Sequence, residues 1–126
     1  LRQDPVFIVD GGHNPHGIQA TAESLRRLFP GKKFTFVTGV MADKDVESIL
    51  GLIVPLAERF FTVRPNNPRA MAAEELAARI GKLGAPAVPC ASVADGVAKA
   101  IEAEGADGVA CALGSLYMSG EVRSCF

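Results

Sequence analysis

Val6-Phe7-Ile8-Val9-Asp10-Gly11-Gly12-His13-Asn14-Pro15-His16-Gly17 is the stretch from which the rest of the chain is read. Four β-prone apolar residues end at an aspartate and a glycine-rich turn. A helical stripe follows, with Ile18, Ala22, Leu25, Leu28 and Phe29 at offsets that share one face. Pro30-Gly31 then stops the helix. Strand, glycine turn and helix make up one crossover unit.

That unit repeats. Phe34 to Thr38 reads as the second strand, closing on Gly39. Val46, Ile49, Leu50, Ile53 and Val54 form the next helical stripe, with Asp43 as its N-cap and Pro55 as its end or kink. Arg59 to Val63 reads as the third strand, and Arg64 to Ala70, with two prolines and two asparagines, as the longest loop. Glu74 and Glu75 suit the positive end of a third helix carrying Leu76, Ile80 and Leu83. Ala87 to Cys90 is a short fourth strand whose Pro89 argues for a sheet edge. Ser92 and Asp95 are spaced as a capping box opening a fourth helix through Val97 and Ile101. Gly108 to Leu113 is the fifth strand, and Gly114-Ser115 leads into a final short helix.

Five strands alternating with helices predict a parallel sheet covered on both faces, a three-layer α/β/α sandwich. Right-handed crossovers bring every loop that follows a strand to one sheet edge, where ligands of such folds bind. The segments to examine are therefore Asp10 to Gly17, Gly39 to Lys44, Arg64 to Arg69 and Gly114 to Leu116.

The bulk numbers narrow the function. The 126 residues suit one domain, and 48% hydrophobic with 21% charged residues suits a packed core. A net charge of −1, without a block of like charges, speaks against nucleic acid or anionic membrane as partners. The apolar run around Ile49 to Leu56 is too short to span a bilayer and contains Pro55. The chain opens with neither a secretory signal nor an initiator methionine, so the expectation is a cytoplasmic piece of a longer protein. Cys90, Cys111 and Cys125 lack C-x-x-C spacing; the first two read as small buried hydrophobes in a reducing compartment.

Chemistry concentrates in the first loop. Gly11 and Gly12 let the backbone turn tightly and let a ligand approach its amides, while the following helix offers N–H groups to an anion. Asp10 is a fixed acceptor suited to ribose hydroxyls, and His13 can donate or accept near neutral pH. A turn whose Asp10 and Asn14 bond only local backbone fits the same residues, and both readings stand. The loop is neither a P-loop nor G-x-G-x-x-G. Asp10, His13 and His16 lack the fixed helical spacing of a metal motif, so no metal site is assigned; the role of His16 stays open. Gly114-Ser115 is a second anion-receptive turn, equally readable as a plain serine cap, and Lys44 offers a phosphate contact or a solvated first-turn charge.

D-G-G-H-N-P-H-G, then G-V-M-A-D-K-D, then G-S-L-Y-M-S-G-E-V-R resemble, in order and over residues 10 to 123, motifs of folylpolyglutamate synthases and bifunctional dihydrofolate synthases of the Mur ligase superfamily. Gly12 stands where that family usually has alanine, and Met118 and Ser119 depart mildly; neither change removes a polar group. The resemblance implies that residues 1–126 are the C-terminal domain of an ATP-dependent folate–glutamate ligase. It implies nucleotide contacts from Asp10, Gly11, Gly12, His13 and Asn14, and glutamate contacts from Ser115 and His13, with Lys44 as a further contact. No residue of this domain alone is then catalytic. An N-terminal domain would carry the P-loop, the Mg2+ ligands, most of the folate site and, just upstream of Leu1, an arginine for ATP. The resemblance also implies a Rossmann-like, mostly parallel sheet in the order 1-5-2-3-4, with Leu1 to Gln3 as remnant of an antiparallel edge strand. The apolar Ala110-Cys111-Ala112 suits an interior strand.

Three other classes compete. A stand-alone nucleotide-binding domain needs a phosphate-cradling glycine pattern that this chain lacks. A phosphoacceptor signalling domain needs an acidic cluster at Asp10 and a lysine where Gly114-Ser115 stands. An interaction domain has no excluding feature. Nucleotide titration and acetyl phosphate labelling separate the first two. Whether the parent adds the first glutamate, later ones or both depends on a folate pocket outside these residues.

Overall fold

Strand and helix alternate in the order β1 (Val6–Val9), α1 (Pro15–Leu28), β2 (Phe34–Thr38), α2 (Val46–Ile53), a 3-10 turn (Val54–Leu56), β3 (Ala57–Thr62), α3 (Ala73–Lys82), β4 (Ala87–Pro89), α4 (Val93–Glu104) and β5 (Val109–Leu113). The computed structural model describes residues 6–9, 15–40, 46–64, 68–104 and 109–113.

The strands form one parallel sheet in the order β1-β5-β2-β3-β4. That order fixes the layers. The steps from β1 to β2, β2 to β3 and β3 to β4 all run the same way across the sheet, so right-handed crossovers put α1, α2 and α3 on one face. The step from β4 to β5 runs back, and α4 falls on the other.

Packing follows this division. Ile18, Leu25, Ile49, Leu50, Ile53, Leu76 and Ile80 meet Phe34, Phe36, Phe60 and Cys111 in the first core. Val93, Val97 and Ala100 of α4 meet Val37, Phe61, Val63, Ala110 and Ala112 in the second. Alternation along β2 and β5 thus sends successive side chains into different cores, and both strands are buried on both faces. Phe36 stacks on Phe60 at 5.4 Å, and Phe34 lies tilted against Phe36 at 6.1 Å. Burial of each ring contributes on the order of 2–3 kcal/mol.

The local signals hold with corrections. Pro55 lies in the 3-10 turn that ends α2. Gly31 takes a left-handed φ of 76°, which a side chain would resist, and closes α1. Leu28, placed above on the buried stripe of α1, is 66% exposed. At about 100° per residue it lies roughly 80° away from Ile18, whereas Ala22 and Leu25 stay within about 40°. Leu83 also faces water, at 43%, because α3 ends at Lys82 and Leu83 is its C-cap. β3 starts earlier than expected, since Ala57 pairs with Phe34 ahead of a register shift. Among the described strands β4 pairs with β3 alone, and Val88 on it is 46% exposed. The expected edge remnant, Leu1 to Gln3, lies outside the described residues, as does Gly108.

Candidate functional site at the carboxyl edge of the sheet

In a parallel sheet all strands end at the same edge. Here Val9 aligns with Ala112, Thr38 with both Leu113 and Thr62, and Thr62 with Pro89. The tips of β1, β5, β2, β3 and β4 therefore form one continuous row. Each helix runs back against its strand, so the N-termini of α1, α2, α3 and α4 also face this edge.

The row has two halves. On the β2–β3–β4 side the backbone is tied tightly. The Val63 N–H donates to Thr38 O at 3.0 Å, the Cys90 N–H to Thr62 O at 2.8 Å, and the Met71 N–H to Val40 O at 2.9 Å. The Thr62 hydroxyl adds a bond to Ala73 O at 2.7 Å, fixing the start of α3. These bonds hold buried Ala70 and Met71 against the β2 extension, and exposed Arg69 rides on that segment. Arg64 is exposed just beyond β3.

On the β1–β5 side the described elements supply a platform. Pro15 begins α1, where its missing N–H costs nothing and its φ is already helical. The first turn of α1, which includes His16 and Gly17, carries no acidic residue, so no side-chain charge of that turn offsets its positive end. Thr21 donates its hydroxyl to Gly17 O at 3.2 Å. Asp10, Gly11, Gly12, His13 and Asn14 lie outside the described residues, as do Asp43, Lys44, Ser115 and Cys125.

Shifted titrations gather where α4 starts. The Asp95 carboxyl is held below the usual carboxylate range by the Ala91 N–H and then by Lys99, which lies 3.1 Å away. Lys99 is raised by the same contact. Burial pushes the Cys90 thiol up, opposed by Lys99 and reinforced by Asp95. A thiol so raised stays neutral, which agrees with Cys90 as a small buried hydrophobe; Cys111 is also buried and unbridged. The Asp95 N–H bonds the Ser92 hydroxyl at 3.0 Å as a cap should, but the carboxylate reaches Ala91 rather than Ser92. Among the described residues no three His, Cys, Asp or Glu side chains come together as a metal site, and no helix is long and apolar enough to cross a membrane.

One residue of the row escapes sequence reasoning altogether. Thr38, the last residue of β2, is fully buried, and its Oγ1 has no hydrogen-bond partner. In sequence it is an ordinary β-branched strand residue.

Comparison with known proteins places the fold and the edge in context. Residues 1–116 match the family model described as the Mur ligase glutamate ligase domain. The chain is 33% identical over 86 residues to a dihydrofolate synthase/folylpolyglutamate synthase of Mycobacterium tuberculosis, covering 68% of this chain and 18% of that protein. It is 34% identical over 122 residues to a probable bifunctional folylpolyglutamate synthase/dihydropteroate synthase of Halobacterium salinarum, covering 96% and 15%. Among solved structures, a Mycobacterium tuberculosis folylpolyglutamate synthase complexed with ADP and AMPPCP superposes with a TM-score of 0.83 at 26% identity. That match covers 94% of this chain and 29% of the other. A Thermotoga maritima folylpolyglutamate synthase gives 0.78 at 30% identity, over 94% and 27%. The chain thus spans less than a third of each of these relatives.

Proposed function

Because this chain belongs to the family of Mur ligase glutamate ligase domains, we propose that it forms one wall of an ATP-dependent folate–glutamate ligase in folate and one-carbon metabolism. In that reading ATP transfers its terminal phosphoryl group to a carboxylate of the folate or its glutamate tail. The resulting acyl phosphate is attacked by the amino group of incoming L-glutamate. Phosphate leaves with the former carboxylate oxygen, the amine loses a proton, and an amide remains.

The work of this chain is orientation and charge placement rather than covalent chemistry. Asp10, Gly11, Gly12, His13 and Asn14 hold the nucleotide from the segment after β1. Ser115, with His13, holds glutamate from the segment after β5, and Lys44 approaches from the segment after β2. Mg2+ neutralises phosphate charge when bound, and its ligands come mainly from an N-terminal ATPase domain of the same protein, which also holds most of the folate. The setting is the cytoplasm.

One observation carries this reading. The tips of β1 and β5 are direct neighbours, with Val9 opposite Ala112, although nearly the whole sequence separates them. Adjacent strands lie about 4.8 Å apart, so the two motif segments leave the sheet from neighbouring points. A mycobacterial relative complexed with ADP and AMPPCP supports nucleotide use by the family.

The test is kinetic. In the full-length protein, Asp10→Ala and His13→Ala are expected to lower folate- and glutamate-dependent ATP turnover by about a hundredfold or more, the scale of a lost positioning contact. Their melting temperatures should stay near that of the parent, because loop side chains facing a cleft carry little of the core. Near-normal turnover in both variants would remove the nucleotide role and leave only the local-turn reading.

A further inference from the structure

Every lysine and arginine among the described residues except one has a local use. Arg59 pairs with Glu58, Arg79 with Glu47 and Glu75, and Lys99 with Asp95. Lys33 donates to Pro55 O at 2.6 Å. Lys32 and Arg69 have contacts of their own. Arg26, Arg27 and Lys82 occupy the last turns of α1 and α3, where positive charge suits the negative helix end. Arg64 has none of these. It is exposed, belongs to no helix, and pairs with no carboxylate among the described residues.

Its place in the fold is nonetheless fixed. Val63, the residue before it, is fully buried, and the Val63 N–H donates to Thr38 O at 3.0 Å. Arg64 therefore leaves the tip of β3, at the carboxyl edge, from a backbone that a buried neighbour anchors. No acidic residue occurs between Val63 and Ala73 in the sequence. A guanidinium pairs with carboxylates through parallel N–H bonds, and this one stands on the edge where the anionic ligands of the ligase reading assemble.

Distance along the row selects the carboxylate. β5 and β3 are separated by β2 alone, which puts their tips about 10 Å apart at two strand spacings. The incoming glutamate, proposed for the β5 tip, is that far from β3, and the nucleotide, proposed for the β1 tip, is one spacing farther. Each amide formed consumes one carboxylate of the acceptor and leaves one free on every glutamate already joined. A glutamate accepted in one turnover must move away from the β5 tip before the next. Along the row the β1 side is taken by nucleotide, so the open direction runs over β2 to β3.

We propose that Arg64 is a specificity-determining residue for tail length: its guanidinium pairs with the free carboxylate of a glutamate already attached, on a tail that runs from the β5 tip past β2 towards β3. The inference rests on the ligase reading above and deepens its acceptor half. In a substrate with a single glutamate, both carboxylates stay beside the reaction site. A longer tail carries others far enough back to meet Arg64.

The experiment uses the full-length protein with ATP and L-glutamate saturating, and either a monoglutamyl or a triglutamyl folate varied. Arg64→Gln is expected to raise KM for the triglutamyl substrate about fivefold, the scale of one exposed ion pair. KM for the monoglutamyl substrate and both kcat values should stay within about twofold. Arg64→Lys, Arg64→Gln and Arg64→Glu should raise the triglutamyl KM in that order, and added salt should raise it more in the parent than in Arg64→Gln. Melting temperatures should stay near the parent's, because the side chain is exposed. An unchanged triglutamyl KM, an equal rise for both substrates, or a broken order of the three variants overturns the proposal. So does a variant that fails to fold, since Arg64 then has a structural partner. Parent protein without folate-dependent turnover sinks the ligase reading, and this inference with it; parent turnover that excludes the triglutamyl substrate, or is indifferent to Arg64, sinks this inference alone.

Discussion

The two faces of the sheet bury their apolar surface by opposite means. Under α1, α2 and α3 the contact is made of volume: Phe34, Phe36 and Phe60 in a row, with Ile18, Leu25, Ile49 and Leu76 above them. Under α4 it is made of proximity, from Cys90, Val37, Val63, Ala100, Ala110 and Ala112, with Phe61 as the one large ring. Gly96 is the extreme of that second solution. A Cβ there would stand 2.6 Å from Val63 Cγ1 and 3.2 Å from Val37 Cγ1. Three helices can share a broad face only if bulky side chains fill the gaps between them. A single helix covers β2, β3 and β5 only by lying almost on the strands.

The contrast predicts different failures. The largest effect belongs to the bulky face. Phe36→Ala should destabilise the chain by about 3–5 kcal/mol, since the stacked and tilted neighbours cannot collapse into the space. Denaturant titration measures it, and a loss near 1 kcal/mol would mean that this core is plastic.

On the close face the damaging change is an addition. Gly96→Ala gains up to about 1 kcal/mol of helix propensity but forces a methyl into Val63. Overpacking typically costs about 1–3 kcal/mol, so a net loss of roughly 1 kcal/mol is expected. A more stable variant would show that α4 can lift off the strands, and the distinction between the faces would dissolve.

The smallest effect is electrostatic and lies at the start of α4. The folded-state pKa of Asp95 is below its ordinary value of 3.8. Its contribution is therefore complete above that ordinary value and is lost as pH falls through the lowered folded one. Melts of Asp95→Asn and parent should differ slightly near neutral pH and converge in strong acid. Because Asp95 is exposed, a difference that survives strong acid would point to capping geometry rather than charge.

Much of the architecture was legible because it is written in side-chain period. The stripe Val46, Ile49, Leu50 and Ile53 and the breakers Pro30-Gly31 and Pro55 gave the alternation that makes this an α/β sheet. Other features are carried by the backbone or by neighbours distant in sequence. Ala57 opens β3 by pairing with Phe34, and Glu58 is the extra residue at the register shift that follows, features that their weak strand preference conceals. Gly96 in sequence is merely a poor helix residue; only the nearness of Val63 reveals its purpose. The missing partner of Thr38 has no sequence signature at all. For the site, the motifs name Asp10, His13, Lys44 and Ser115, while the sheet supplies the edge from which their segments depart.

The strand order also sets a timetable for assembly. During synthesis β2, β3 and β4 emerge in succession and can pair as they appear. Of the described strands β1 emerges first, yet among them it pairs with β5 alone, which emerges after the other three. Closing so long a loop is entropically slow and gains nothing until the last contacts form. A ribosome-bound chain that stops short of Val109 would therefore hold β2, β3 and β4 paired beneath α1, α2 and α3, with β1 lacking its described strand partner. Strand exchange with a second nascent chain is then a natural error, and a chaperone that shields β1 would act on this domain late in its synthesis.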